Sequence, residues 1–320
     1  MKGEMIVMKI FKRLLIVVPA ILVLVISFVV LSSYFEHRDL IAEEKELYPA
    51  PGQLVDVDDG QLHIYAEGEG DNTLVFMSGL GTSSPFYDFK PLFAELTEDN
   101  RIVVIERAGY GWSEITSTDR DLDTVLAESR QALAEIGESG PYTLIPHSLA
   151  GMEAIYWAQS YPGEVERIVG LDPLIPEYYE QDEDRDNPLS PLVTFLARSG
   201  LMRQQEGVCE NMPVIEKGYL NDEEMEAACA IFMRRLMTKN MWEEYRSLDD
   251  NSQLVLNGPG LEVPFYAFIS GQGEELWIDT LEDYADMSFT LDAGHYIHLD
   301  ETELIGEKIT EIIETDDITF

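Results

Sequence analysis

The order of apolar runs along this chain predicts an α/β fold: a mostly parallel sheet flanked by helices, interrupted by a helical insertion and preceded by a transmembrane helix. Three observations carry that expectation. Four runs, Leu74 to Met77, Ile102 to Ile105, Tyr142 to Ile145 and Ile168 to Leu171, are apolar almost throughout rather than alternating, as parallel strands covered on both faces are. Helical periodicities lie between them at Phe89 to Leu96, Leu122 to Ile136 and Leu149 to Tyr161. The rhythm then breaks at Asp172 and resumes only at Val263.

The first element is the N-terminal segment. Leu14 to Leu31 is uncharged and apolar except for Ser27, and a hydrocarbon core needs about 20 such residues. A signal peptide has a shorter apolar core, about 7–15 residues, and a small-residue cleavage site, whereas this chain continues LSSYFEHRDL. Residues 1–36 are therefore expected to be an uncleaved anchor that meets the lipid bilayer through residues 14–31; cleavage would instead release a secreted protein. Lys2, Lys9, Lys12 and Arg13 precede the span and Glu36 and Asp39 follow it, which puts the N-terminus in the cytoplasm and the remainder outside. Pro19 is tolerable within such a helix.

A polar linker is expected over 37–53. A hairpin follows, LVDV and QLHIYAEG joined at Asp59-Gly60, a pair suited to the positive φ angles of a tight turn. The core then occupies 54–172 and 263–320. Between its two parts, Pro173 to Glu262 reads as several short helices (SPLVTFLARSGLM, DEEMEAACAIFMRRLM, NMWEEYRSL). So long an insertion is a cap over the sheet rather than a bare loop. VPFYAFISG, a strand at Met287 to Leu291 and a helix at Glu301 to Ile313 complete the alternation.

Charge and cysteine content narrow the function classes. The 320 residues carry 61 acids against 21 bases, a formal charge of −40, so nucleic acid is excluded as a partner, its recognition relying on clustered Lys and Arg. The acidic surface serves solubility or adaptation to high salt. Cys209 and Cys229 are the two cysteines and lie in the cap; they either pair in an oxidising compartment or stand free.

The stretch LIPHSLAGMEA carries the chemistry. Ser148 follows an apolar strand and precedes a helix, the context in which a sharp turn lifts a serine hydroxyl above a sheet edge. A serine of ordinary pKa needs a base. Of the five histidines, His37 lies against the membrane, His63 is in the hairpin, and His147 is expected to project to the far side of the turn. His295 and His298 remain.

With SGLG at 78–81, ERAGYGWSE at 106–114, PHSLAG at the elbow and LDAGHYIHLDE near the end, the chain resembles the α/β-hydrolase superfamily from about Leu54 onward. Its elbow departs from the G-x-S-x-G pattern by having Pro146 and Ala150 at the outer positions. The resemblance implies Ser148 as nucleophile, His295 as base and His298 as a residue that holds the loop. Zinc on His295 and His298 is the rival reading, but a third ligand at recognisable spacing is missing. The acid is expected at Glu274, three residues beyond Gly271, with Asp172 after the strand before the cap as the alternative. Backbone amides of Leu80 and Leu149 form the implied oxyanion hole.

The resulting expectation is a membrane-anchored serine hydrolase that cleaves small-molecule esters, or amides, with no metal or organic cofactor. Apolar acyl groups suit a cap containing Leu196, Leu201, Met202, Phe232, Met233 and Met237. An amidase, peptidase or C–C hydrolase would use the same triad, and a non-catalytic binding domain of the same fold is the alternative from another class. Serine at the elbow argues against haloalkane dehalogenases and epoxide hydrolases, which use aspartate there.

Overall fold

The computed structural model describes residues 2–58, 60–182 and 189–315, with side chains from Met8 onward. Helix α1 (Lys2–Leu47) is followed by strands β1 (Gln53–Val57), β2 (Gly60–Glu67) and β3 (Thr73–Met77). Then come α2 (Pro85–Leu96), β4 (Arg101–Glu106), α3 (Leu122–Glu135), β5 (Tyr142–Pro146), α4 (Ala150–Ser160) and β6 (Val165–Leu171). The insertion contributes α5 (Pro176–Gln181), α6 (Pro191–Arg198), α7 (Pro213–Glu216), α8 (Asp222–Arg235), α9 (Lys239–Arg246) and α10 (Leu248–Leu256). Strand β7 (Phe265–Ser270), α11 (Glu275–Tyr284), β8 (Met287–Leu291), α12 (Ile297–Asp300) and α13 (Thr302–Glu314) end the chain.

Among the described residues the strands form one eight-stranded sheet in the order β1-β2-β4-β3-β5-β6-β7-β8. Strands β3 to β8 run parallel; β2 is antiparallel to both β1 and β4. The expected hairpin is therefore present, although Asp59 of its turn lies outside the described residues. The apolar runs behave as their composition requires. Leu74, Val75 and Phe76 of β3 are all fully buried, because α2, α12 and α13 cover one face of the sheet while α3, α4 and α11 cover the other. Burying each such side chain stabilises the fold by roughly 1.5–3 kcal/mol before entropy is counted.

The N-terminal helix departs from expectation. Positions 37–47, anticipated as linker, continue α1 without a break. The run LIAEEKEL consists of good helix formers, and Ser33, His37, Leu40 and Glu44 share one face at i, i+4, i+7, i+11 spacing. That face docks on the insertion. Arg203 donates to His37 Nδ1 at 2.8 Å and to both Glu44 carboxylate oxygens at 2.6 and 2.8 Å. Gly200 lies so close to α1 that a Cβ there would stand 2.7 Å from the Ser33 carbonyl oxygen. Cys209 and Cys229 are joined in a disulfide with Cα atoms 5.5 Å apart, tying the segment before α7 to α8.

Candidate active site

Strand β5 ends at Pro146, whose missing N–H disrupts nothing because the next residue resumes the pairing: His147 N–H donates to the Met77 carbonyl at 2.9 Å. Ser148 then takes φ = 52°, a left-handed conformation that costs a non-glycine residue about 1–3 kcal/mol unless its surroundings hold it. They do. The Ser148 amide donates to Leu171 O at 3.3 Å, and its carbonyl accepts from Gly151 N at 2.9 Å and Leu174 N at 2.7 Å.

Tight packing shows where glycine is needed. A Cβ on Gly151 would stand 2.5 Å from Leu174 O, and one on Gly79 would stand 2.8 Å from Ser148 Cβ and 3.3 Å from Ser148 Oγ. Ala150 is accommodated with its methyl buried. The close approach of α4 to the chain leaving β6 thus falls one residue later than the usual elbow glycine, and the SGLG loop can lie over Ser148 only because position 79 lacks a side chain.

The carboxylate partner is where the structure corrects the sequence reading. Asp172, at the end of β6, accepts from His295 Nδ1–H through Oδ2 at 2.7 Å. Its Oδ1 accepts from Ser270 N at 2.9 Å and Trp277 Nε1 at 2.8 Å, and the residue is buried, so its lone pairs are directed by three donors. Glu274, the residue favoured from its spacing, is exposed and begins α11 as its N-cap position. The reason is sheet order. Strand β6 lies directly beside β5, which leads into Ser148, and the loop after β8 brings His295 onto the residue that follows β6, whereas Glu274, after β7, opens α11 at the surface. Asp172 also has φ = 47°, a left-handed conformation that it shares with Ser148.

His295 sits in the loop between β8 and α12 with its side chain 46% exposed, so the site opens to solvent. Its backbone is fixed from below: His147 Nε2–H donates to His295 O at 2.9 Å, which sets the His147 tautomer. His147 was expected on the far side of the turn; instead its ring packs against His295, Tyr296 and His298 at centroid separations of 4.7, 5.1 and 4.9 Å. Burial, then the neighbouring His295 and His298, holds the His147 imidazole well below the usual histidine range. His298 is buried between Phe89 and His147, and burial with nearby His295 pushes it down to about 3. Both rings are therefore neutral packing and positioning groups. His37 docks α1, and His63 is buried with Nδ1 2.9 Å from Glu106 and Nε2 accepting from Gly52 N at 3.0 Å.

Residues 72–198 match the family described as the alpha/beta hydrolase fold. The uncharacterized protein YbdG of Bacillus subtilis is 36% identical over 249 residues, covering 77% of this chain and 76% of that protein. The chain belongs to the alpha/beta hydrolase superfamily. Among solved structures, the Cif epoxide hydrolase from Acinetobacter nosocomialis superposes with TM-score 0.66 at 15% identity, covering 88% of this chain and 96% of that one. The enol-lactonase from Burkholderia xenovorans does so with TM-score 0.57 at 15% identity, covering 82% and 99%. Likeness at these identities shows the shared alpha/beta hydrolase fold.

Within this alpha/beta hydrolase scaffold, the residues that brace the loop over Ser148 went unassigned from sequence. Arg107 is buried and donates to Ser78 O at 2.7 Å, to Glu244 of α9 at 3.2 and 3.1 Å, and to Glu153 of α4 at 3.4 Å. Burial alone would lower its pKa, and Glu244, Tyr110 and Glu153 more than reverse that. One guanidinium thus links the SGLG loop, the helix that follows Ser148 and the insertion. The neighbouring Glu106 accepts from the amides of Phe86 and Trp112 at 3.2 and 2.8 Å, which ties the ERAGYGWSE segment to the start of α2. The visible signal was a charged Glu-Arg pair ending an apolar strand; its distant partners, Glu153 and Glu244, had none.

Leu149 starts the turn into α4. Leu80 lies in the loop after β3, half-buried in an apolar cluster with Tyr110, Leu189 and Met241.

Proposed function

We propose that the protein is a membrane-anchored serine hydrolase that cleaves carboxylic esters through Ser148, His295 and Asp172. The observation that carries this reading is the 2.7 Å contact between His295 Nδ1 and Asp172 Oδ2, together with a serine held at φ = 52° in the turn between β5 and α4. In the proposed reaction His295 Nε2 takes the Ser148 Oγ proton as Oγ attacks the ester carbonyl. Asp172 keeps Nδ1 protonated and stabilises the imidazolium that forms. The amides of Leu80 and Leu149 donate to the oxyanion. Collapse expels the alcohol, which receives the proton from His295, and leaves an acyl-serine; water activated by the same imidazole then releases the acid.

Serine at the elbow supports acyl transfer over the chemistry named for the epoxide hydrolase neighbours, and the enol-lactonase neighbour is a precedent for ester-type substrates on this fold. The apolar N-terminal helix, with mean hydropathy 3.3 in its most apolar window, supports anchoring, and the Cys209–Cys229 disulfide suits an oxidising compartment outside the cytoplasm. The test is fluorophosphonate labelling and ester turnover with wild type and Ser148→Ala. Labelling that is abolished by the substitution, with turnover reduced roughly 10⁴-fold or more, is expected; labelling that persists would end the serine-hydrolase reading. Protease digestion of intact and lysed cells checks the topology: the catalytic body should be cleaved in both.

A further inference from the structure

Outside α1, the two most exposed large apolar side chains among the described residues are on one short cap helix: Leu192 at 66% and Phe195 at 50%, three residues apart on one face of α6. The remaining ones, such as Leu54, Tyr219 and Leu276, are less exposed and scattered over other elements. Single exposed apolar residues need no explanation, but a paired apolar edge does.

The position of α6 supplies one. Gly200, two residues beyond its end, packs against the Ser33 carbonyl and His37 Cβ of α1. Ser33 is two residues past Leu31, where the apolar run closes, so at 1.5 Å rise it stands about 3 Å beyond the hydrocarbon span. The headgroup layer on each side of a bilayer is roughly 5–7 Å thick. The C-terminal end of α6 therefore lies at headgroup level if α1 spans the membrane, and the helix is only about 12 Å long. Arg203, locked to His37 and Glu44, prevents the cap from swinging away.

The inner side of α6 faces the proposed chemistry. Thr194 accepts from Trp242 Nε1 at 3.0 Å and contacts the Met237 sulfur, and Leu189, Met237 and Trp242 share one apolar cluster with Leu80 of the loop over Ser148. A packed apolar cluster thus lies between the inner side of α6, which reaches it through Thr194, and the proposed oxyanion loop. A chain of formal charge −40, with four of its bases ahead of the apolar span, gains nothing electrostatically from bringing its acidic body to an anionic membrane, so contact must rest on apolar insertion.

We propose that α6 is a second membrane contact: Leu192 and Phe195 insert into the leaflet from which α1 emerges, and the site takes acyl-chain esters out of that leaflet. This rests on the anchored-hydrolase reading and extends it. Four single cysteines, Leu24→Cys, Leu192→Cys, Phe195→Cys and Leu276→Cys, are placed in the full-length chain with the native disulfide intact. Each is labelled with a polarity-sensitive fluorophore and reconstituted into phosphatidylcholine vesicles. Labels at 192 and 195 should be quenched by lipid-borne nitroxide and be several-fold less accessible to iodide than the label at 276.

If 192 and 195 are as open to iodide as 276 while 24 is lipid-quenched, the contact is refuted and the anchor stands. If 24 is also open to iodide, anchoring fails and the contact with it. If 192 and 195 are shielded from both quenchers, protein covers them and the lipid occupant is wrong. Turnover gives the second readout: Leu192→Asp with Phe195→Asp should slow hydrolysis of a vesicle-embedded long-chain ester at least fivefold, while a short soluble ester is cleaved within twofold of wild type. Equal loss on both, or on neither, overturns the delivery role.

Discussion

Strands β6 and β7 are neighbours, both parallel, both buried, and each is followed within a few residues by a carboxylate: Asp172 after one, Glu274 after the other. They end in different worlds. Asp172 is buried, pinned by Ser270 and Trp277, and touches His295; Glu274 is exposed and opens a surface helix. The strand after the insertion does not supply the carboxylate that meets His295 but helps to hold it, since Ser270 at its end and Trp277 beyond it donate to Asp172. What matters chemically is the donor set around a carboxylate and the strand beside which it emerges, more than its spacing from a glycine.

The largest expected effect tests that contrast directly. Asp172→Asn should leave the fold intact and reduce kcat on a soluble ester by about 10³–10⁴-fold, because an amide NH₂ facing Nδ1 favours the wrong imidazole tautomer. A loss below tenfold would return Glu274 to contention. Next is the loop over Ser148. Gly79→Ala would force a methyl to within 2.8 Å of Ser148 Cβ, and the resulting displacement should lower kcat about 10²-fold with the melting temperature little changed. A variant as active as wild type would show that the loop lies elsewhere during turnover.

A smaller effect belongs to the support under the histidine. His147→Phe removes the donor to His295 O and should lower kcat roughly tenfold, while His147→Gln, which keeps an N–H, should recover much of it. Equal damage by both would reduce His147 to a packing role.

Burial also leaves a pH signature on stability. In the unfolded chain His298 titrates near 6.5, whereas in the folded protein it is pushed down to about 3. Below pH 6.5 the unfolded state gains a proton that the folded state does not take up, so stability falls as pH falls through that window. Asp88, which burial pushes up to about 7, acts with the opposite sign: its raised value removes stability as pH rises from the ordinary carboxylate range toward 7. Comparing wild type with His298→Phe isolates the first effect. Between pH 7.5 and 5 the variant should lose up to about 2 kcal/mol less than wild type in urea unfolding. Identical pH slopes would show that His298 is not held neutral.

The smallest expected effect completes the comparison of strand ends. Glu274→Gln should leave kcat within about twofold of wild type, as for an exposed residue away from the reacting atoms.

Much of this was legible in the chain. The strands were visible because two-sided burial demands uninterrupted apolar runs, and Ser148 was visible because a strand, a turn and a helix meet at it. His295 followed from the resemblance together with the small number of histidines. Other features could not be read. Glu153 and Glu244 meet Arg107 from 46 and 137 positions away, and no local pattern announces such a meeting. Likewise, the positions after residue 36 are polar enough for a linker although LIAEEKEL favours helix, and the docking partner of that face, Arg203, lies 159 positions from Glu44.

The sequence by itself determined the fold class, the apolar N-terminal span and the positions of the elbow serine and the loop histidine, since each depends on local pattern or on a residue type in short supply. Tertiary structure alone decided which carboxylate meets that histidine, that His147 supports it, that the two cysteines pair, and that the first helix is bound to the insertion. Those depend on which strands lie side by side and which distant backbones approach, and neither spacing nor composition encodes that.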